Sequence, residues 1–310
     1  MARESFNVTL EEKGHVVEDL LLEHGFAAEE IRDLMKKGRI YVNGAPADPF
    51  AILDLGDSIT VVKGERRASE ELPPLLYEDD HLAAYDKASG IAVVEERSRK
   101  NSGLLGLLRE ASGSPQGPPF LLHRLDKGTS GVWVVAKTLE SKTFYSTEFE
   151  ERRVSKVYRV YVQGVLHEPE GVINAPIGED PRVTNAMRIR SDGKEAVTRY
   201  RLVAQFRRFA VVEAMPETGR THQIRLHMRE LGHPLIHDEL YGGLPHLLLS
   251  GLKPGYRPAK RRPEPSLIDR LTLHCQRMEL RGMAGGPTIR IESPVPKDLQ
   301  RLERNLERYG

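Results

Sequence analysis

The 310 residues carry 46 Lys and Arg against 45 Asp and Glu, a formal net charge of +1, with 39% hydrophobic and 29% charged residues: a globular chain long enough for two domains. Bulk charge therefore announces no polyanion binder, and any attraction for phosphate must come from local clusters of Lys and Arg. No apolar run approaches the roughly 18 residues of a membrane span, residues 1–7 lack the apolar core of a signal peptide, and a cytoplasmic protein with no membrane partner is expected.

Residues 1–64 predict a small α+β module. Val16, Val17, Leu20 and Leu21 recur at helical spacing, and Glu29 to Lys37 predicts a second helix that stops at Gly38 as its C′ residue. Asn43-Gly44 predicts a tight turn after Arg39-Ile-Tyr-Val, and Asp54-Leu-Gly-Asp57 turns into a last strand over Ser58 to Val62. This order resembles the S4 RNA-binding domain: a basic helix end, then Gly38-Arg-Ile-Tyr-Val-Asn-Gly44 and a later Gly-Asp. The Arg-Leu-Asp that opens an S4 domain is replaced by Gly14-His-Val-Val-Glu-Asp19. The resemblance implies phosphate contacts from Arg32, Lys36, Lys37 and Arg39, with Arg32 and Lys36 on one helix face.

Residues 65–74 lack apolar periodicity, end in Pro73-Pro74 and read as a linker to a second domain over 75–310. Phe120 to Leu122 and Val132 to Ala136 read as buried strands. Between them lies a polar loop that holds Asp126 between Arg124 and Lys127, with Gly128 and Gly131 able to take left-handed angles. Strands that fix such a loop leave its side chains free to meet a ligand, although an Asp there can also do no more than cap the turn. His123-Arg-Leu-Asp-Lys-Gly-Thr-Ser-Gly131 resembles the His-Arg-Leu-Asp-x-x-Thr-Ser-Gly signature of the RluA-type pseudouridine synthases.

Further stretches carry the same resemblance. Tyr77 to Gly90 is similar to the family's opening pattern, with Ala88 in place of the Pro of Lys-Pro-x-Gly, which removes a rigid φ constraint and no chemical group. Lys156-Val-Tyr158 to Gly164 resembles the Lys-x-Tyr…Gly strand. Glu217-Thr-Gly-Arg-Thr-His-Gln-Ile-Arg-Leu-His227 resembles the Thr-Gly-Arg-x-His-Gln-x-Arg-x-His block, on a helix that Thr221 is expected to cap and Gly232 to stop. His237-Asp-Glu-Leu-Tyr-Gly242 keeps the Asp and Tyr of Gly-Asp-x-x-Tyr-Gly but not its first Gly, so the turn at His237 is expected to be a strained left-handed one or to be differently shaped. Lys253 to Arg262 holds five basic residues and two prolines, a solvated loop or an RNA clamp. The C-terminal segment is expected to be helical and peripheral.

The expected fold is α+β: the S4-like module, then a catalytic domain on a mostly antiparallel mixed β-sheet flanked by helices and loops. The family resemblance implies that Asp126 is catalytic, that Tyr158 faces the reactive uracil, and that Arg225 keeps Asp126 ionised, a role for which a guanidinium suits. Arg124, Arg220 and His222 are the expected RNA contacts. Pseudouridylation adds and removes no atom, so no cofactor is expected. His222 and His227, five apart on one helix, point about 140° from each other, and the single cysteine excludes cysteine-rich sites, so no metal is expected.

The expected partner is RNA, 23S ribosomal RNA or a pre-ribosomal particle, acted on by a monomer. Transfer RNA and an inactive ribosome-assembly role stay open as alternatives. An aspartyl phosphotransferase of the Asp-x-Asp-x-Thr type is a further rival, but its second carboxylate would fall at Gly128.

Overall fold

A computed structural model of the chain describes residues 2–36, 40–43, 45–47, 52–63, 72–94, 103–113, 117–257 and 264–310. Lys37, Arg39, most of the expected linker and residues 258–262 of the basic loop lie outside the described residues. The chain divides into two compact units, Met1–Glu71 and Leu72–Gly310. Among the described residues no helix is long and apolar enough to cross a membrane.

In the first unit, strand β1 (Ala2–Asn7) precedes helices α1 (Val17–Glu23) and α2 (Ala28–Lys36) and strands β2 (Ile40–Val42), β3 (Ala45–Pro46) and β4 (Ser58–Lys63). The four strands form an antiparallel sheet in the order β1-β4-β2-β3. The two helices bury Val17, Leu20, Leu21, Ile31 and Leu34 against Ile40, Ile59 and Val61. Asn43 takes φ 52°, as the predicted turn requires, and its side chain ties that turn to Asp57 at 2.7 Å. Arg32 is exposed on α2, with Nε donating to Ala28 O, and Lys36 is the helix's last residue.

The second unit runs β5 (Leu75–Glu78), β6 (Leu82–Lys87), α3 (Leu104–Ala111), β7 (Phe120–Leu121), β8 (Ser130–Ala136) and α4 (Leu139–Glu150). It continues through β9 (Ser155–Gln163), β10 (Glu170–Asn174), β11 (Ile177–Glu179), β12 (Met187–Ile189), β13 (Val197–Gln205), β14 (Phe209–Pro216) and α5 (Gln223–Glu230). Then come α6 (Leu249–Leu252), β15 (Leu273–Leu280), β16 (Ile289–Glu292) and α7 (Lys297–Tyr309). The main sheet is mixed, in the order β10-β13-β14-β9-β15-β8-β6-β5, with β16 on β15 and β7 on β8. Among the described strands its pairings are antiparallel except β8 with β15, which run parallel through Ser130↔His274 and Gly131↔Cys275.

The central strands read as continuous apolar runs because both of their faces are covered. Tyr158, Val160 and Val162 of β9 join Trp133, Ile224 and Met228 on one side. On the other, Tyr161 packs with Phe209, Val211 and the α7 leucines Leu299, Leu302 and Leu306. The C-terminal helix is therefore not peripheral: those three leucines are at most 1% exposed, each burial contributing roughly 1.5–3 kcal/mol. Glu303 of α7 accepts hydrogen bonds from Tyr161 Oη at 2.9 Å and Arg159 Nη2 at 2.5 Å.

Candidate active site

The signature loop between β7 and β8 is held by its backbone, which leaves the Asp126 side chain for other work. Asp126 O accepts from Thr129 N at 3.0 Å, closing a turn. Lys127 O accepts from Gly90 N at 2.8 Å, and Gly128 O from Ser89 Oγ at 2.6 Å. Lys87, fully buried at the end of β6, donates from Nζ to Thr129 O at 2.6 Å, Ala88 O at 3.0 Å and Lys127 O at 3.2 Å. Every carbonyl from 126 to 129 is thus satisfied, as buried backbone groups require. The segment that lacks the family's proline is stiffened by these bonds instead.

Glycine is required at Gly131, where φ is 112° and a Cβ would run into the Cys275 backbone. Beneath the loop, Arg270 forks onto Asp298 at 2.6 and 3.0 Å and donates from Nη1 to Ser130 Oγ at 3.0 Å. Ser130 Oγ in turn meets His274 Nδ1 at 3.0 Å. Burial holds His274 below the usual imidazole range, so its ring is neutral and can accept the Ser130 proton.

Asp126 faces an open cleft of about 1470 Å³ that Arg124, Tyr158, Arg220, His222 and Arg225 also line. All six residues singled out in the second unit therefore meet in one cavity, although they come from the signature loop, β9 and the start of α5. Arg225 Nη1 lies 3.7 Å from Asp126 Oδ2. Its Nε and Nη2 go elsewhere, to Asp238 Oδ2 at 2.7 Å and Oδ1 at 2.8 Å. The sequence pattern pairs Arg225 with Asp126 alone, and Asp238 is the partner it does not reveal.

Helix α5 starts one residue later than expected. His222, not Thr221, is the N-cap residue, at φ 57° and without a side-chain cap bond. Buried Gln223 does the bracing: its Oε1 accepts from Arg220 N and Thr218 Oγ1, and its Nε2 donates to Val197 O and Thr198 Oγ1. The far end follows expectation, with Gly232 at φ 86° and His233 N bonded to Met228 O in a Schellman pattern. His237 takes no left-handed angle, so the expected strain there is absent.

His222 Nδ1 lies 2.7 Å from Tyr241 Oη, and that hydroxyl accepts from Met187 N at 2.9 Å. Burial lowers the His222 pKa against the upward pull of Asp126. His227 is placed apart from it, bonded to Thr198 Oγ1 and Ala175 O. Arg220 donates from Nε to Glu195 O at 2.9 Å. The opposite lip is the β11–β12 hairpin, whose tip from Val183 to Met187 lines the cleft. No sequence pattern flags it, since its strands are three residues each.

Tyr158 is 9% exposed, and burial raises its phenol well above 10, with Cys275 and the Asp126 charge adding to the rise. The thiol of Cys275 is likewise pushed up to about 12 by burial. Burial lowers both Lys156 and Lys87, the latter to about 7, where Asp126 opposes the fall.

The comparisons with known proteins point the same way. The family described as RNA pseudouridylate synthase matches residues 81–230. The ribosomal large subunit pseudouridine synthase D of Xanthomonas campestris pv. campestris is 36% identical over 287 residues, 89% of this chain and 84% of that one. This chain belongs to the RNA pseudouridylate synthase family. The synthase is also 34% identical over 276 residues to the protein of the same name from Pseudomonas aeruginosa, covering 85% of this chain and 82% of that one. Among solved structures, human RNA pseudouridylate synthase domain containing 4 shares its fold, with a TM-score of 0.57 at 23% identity over 75% of this chain and 92% of that chain. The RluA-type signature of the pseudouridine synthase thus sits, as Asp126 and its neighbours, on the wall of the cleft.

Proposed function

We propose that this isomerase converts uridine to pseudouridine in large-subunit ribosomal RNA, with Asp126 as the catalytic carboxylate. The observation that carries the reading is Asp126 itself, at the start of a turn whose carbonyls from 126 to 129 are bonded, facing the cleft with a guanidinium nitrogen 3.7 Å away. The choice of ribosomal RNA rests on the names of the relatives at 36% and 34% identity.

The reaction breaks the bond from N1 to C1′ and forms one from C5 to C1′, while a proton leaves C5 and N1 gains one. The target base must leave its stack to enter the cleft, at a cost of a few kcal/mol. Asp126 attacks or electrostatically supports the sugar carbon as N1 departs, and Arg225 keeps the carboxylate charged. Tyr158 packs on the base. Its phenol is neutral, so it takes the C5 proton only by passing its own onward. Arg124, Arg220 and His222 hold the flanking RNA in the cleft. Residues 1–64, as an S4-like module, add phosphate contacts from Arg32, Lys36, Lys37 and Arg39, joined by a linker over 65–74 to the catalytic domain over 75–310. The enzyme works as a cytoplasmic monomer without cofactor or metal.

The test maps pseudouridines in ribosomal and transfer RNA from a strain lacking the gene, its parent, and the deletion strain carrying the wild-type gene. Loss and restoration of specific sites in large-subunit ribosomal RNA is the expected result. Loss confined to transfer RNA would move the substrate to that RNA.

A further inference from the structure

Arg225 is restrained on two sides. Asp238, 2% exposed, takes its Nε and Nη2 edge in a fork of 2.7 and 2.8 Å. Asp238 Oδ1 also accepts the backbone amides of Leu240 and Tyr241, each at 3.2 Å. The carboxylate is therefore fixed by the turn that carries it, and the turn cannot follow the arginine. The Tyr241 ring lies 4.7 Å from the guanidinium carbon, and its hydroxyl is anchored to Met187 N and His222. A guanidinium forked on one edge and covered on one face has little freedom to rotate.

The consequence is felt at Asp126. Only Nη1 of Arg225 approaches it, and 3.7 Å is beyond hydrogen-bond length. Asp126 thus receives the field of a cation without giving an oxygen to it. Without the Asp238 charge, Arg225 has one acidic partner left among the described residues, Asp126, and a bidentate pair there would occupy the oxygens that must meet the sugar.

We propose that Asp238 is a positioning residue that holds Arg225 back from Asp126 so that the carboxylate stays charged and unoccupied. This rests on the assignment of Asp126 as catalytic. It differs from a plain structural role, in which Asp238 only ties the turn from His237 to Gly243.

A double-mutant cycle on the chemical step separates the two. Single-turnover rates at saturating RNA are measured for wild type, Asp238→Asn, Arg225→Gln and the double variant, with RNA affinity measured in parallel. Asp238→Asn should slow the step at least tenfold with Kd within about twofold, yet cost less than twofold in the Arg225→Gln background, where no guanidinium is left to misplace. The same loss in both backgrounds overturns the proposal. Should the Arg225→Gln rates fall below detection, a crystal structure of Asp238→Asn decides: Arg225 turned onto Asp126 supports it, and Arg225 unmoved overturns it. Asp126→Asn is run alongside. Activity in that variant defeats the parent assignment, whereas an inactive Asp126→Asn with an additive cycle defeats this inference alone.

Discussion

Lys87 Nζ sits 2.6 Å from the carbonyl of Thr129, 42 residues further along the chain, and so fastens the end of β6 to the far side of the signature loop. Lys87→Met keeps most of the side chain's apolar length and takes the Nζ donor from the carbonyls of Ala88 and Thr129, each worth roughly 1–3 kcal/mol when buried, while Lys127 O keeps its bond from Gly90 N. Turnover should fall at least tenfold as the loop under Asp126 loosens. Unchanged turnover would show that the other bonds suffice.

The same lysine makes a pH prediction. Its pKa drops from 10.5 to about 7 on folding, so between those values the folded chain binds fewer protons than the unfolded one. Stability from this group is therefore lowest below pH 7 and rises as the pH climbs toward 10.5. Trp133, the one tryptophan, is buried beside the site and reports this unit. Urea unfolding followed by its fluorescence should show the advantage of wild type over Lys87→Met growing from pH 7 to pH 9. A constant difference would mean that Lys87 titrates as an ordinary lysine.

Asp126→Asn should abolish pseudouridine formation while RNA binding stays within about tenfold, roughly 1.4 kcal/mol. The amide keeps the shape but is a poor nucleophile and cannot balance a developing cation. Turnover near wild type, with deamidation excluded by mass spectrometry, would remove Asp126 from the mechanism.

Tyr158→Phe removes one hydroxyl and keeps the ring, which in the proposed mechanism packs on the base. Turnover should fall by about 10²–10⁴, the usual span for a lost proton-transfer group, with KM little changed. Because burial holds the phenol well above 10, the wild-type rate should show no limb from Tyr158 between pH 5 and 9. A Phe variant of normal rate would reduce Tyr158 to packing.

Replacing Arg32, Lys36, Lys37 and Arg39 together by Gln should weaken RNA affinity and lower the slope of log K against log salt by about 0.7–0.9 for each phosphate that the module no longer neutralises. The rate at saturating RNA should hold. An unchanged slope would place RNA binding entirely in the second unit.

Legibility followed the range of the interactions. Asp126, Arg225 and Tyr158 are legible because each lies in a run that resembles an RluA-type motif, and the turns at Asn43 and Gly232 because they need a left-handed angle. Asp238 is visible as the Asp of a Gly-Asp-x-x-Tyr-Gly-like run, but its bond to Arg225 is not, since that bond spans a helix and a loop and no periodicity encodes it. The cap at Thr221 failed for a related reason. A rule for local caps favoured threonine, while buried Gln223 secured the segment through Val197 and Thr198, distant in sequence. Strand β1 went unread because Ala2–Asn7 has little apolar content and is defined by pairing with β4.

The parallel pairing of Ser130 with His274 joins residues 144 apart. At 5–20 residues per second of synthesis, the Ser130–Gly131 end of β8 waits roughly 7–30 s for β15, while β6 and β7 are already there to pair with the rest of the strand. During that interval Val132-Trp-Val-Val135, paired with β6 along one edge, lacks the core contribution of Leu273, Cys275 and Met278, and an apolar segment of high strand propensity is the kind that aggregates. The strand that presents the signature loop thus completes its packing only when residues 273–280 are made, and the yield of active enzyme should depend on how quickly they follow it out of the ribosome.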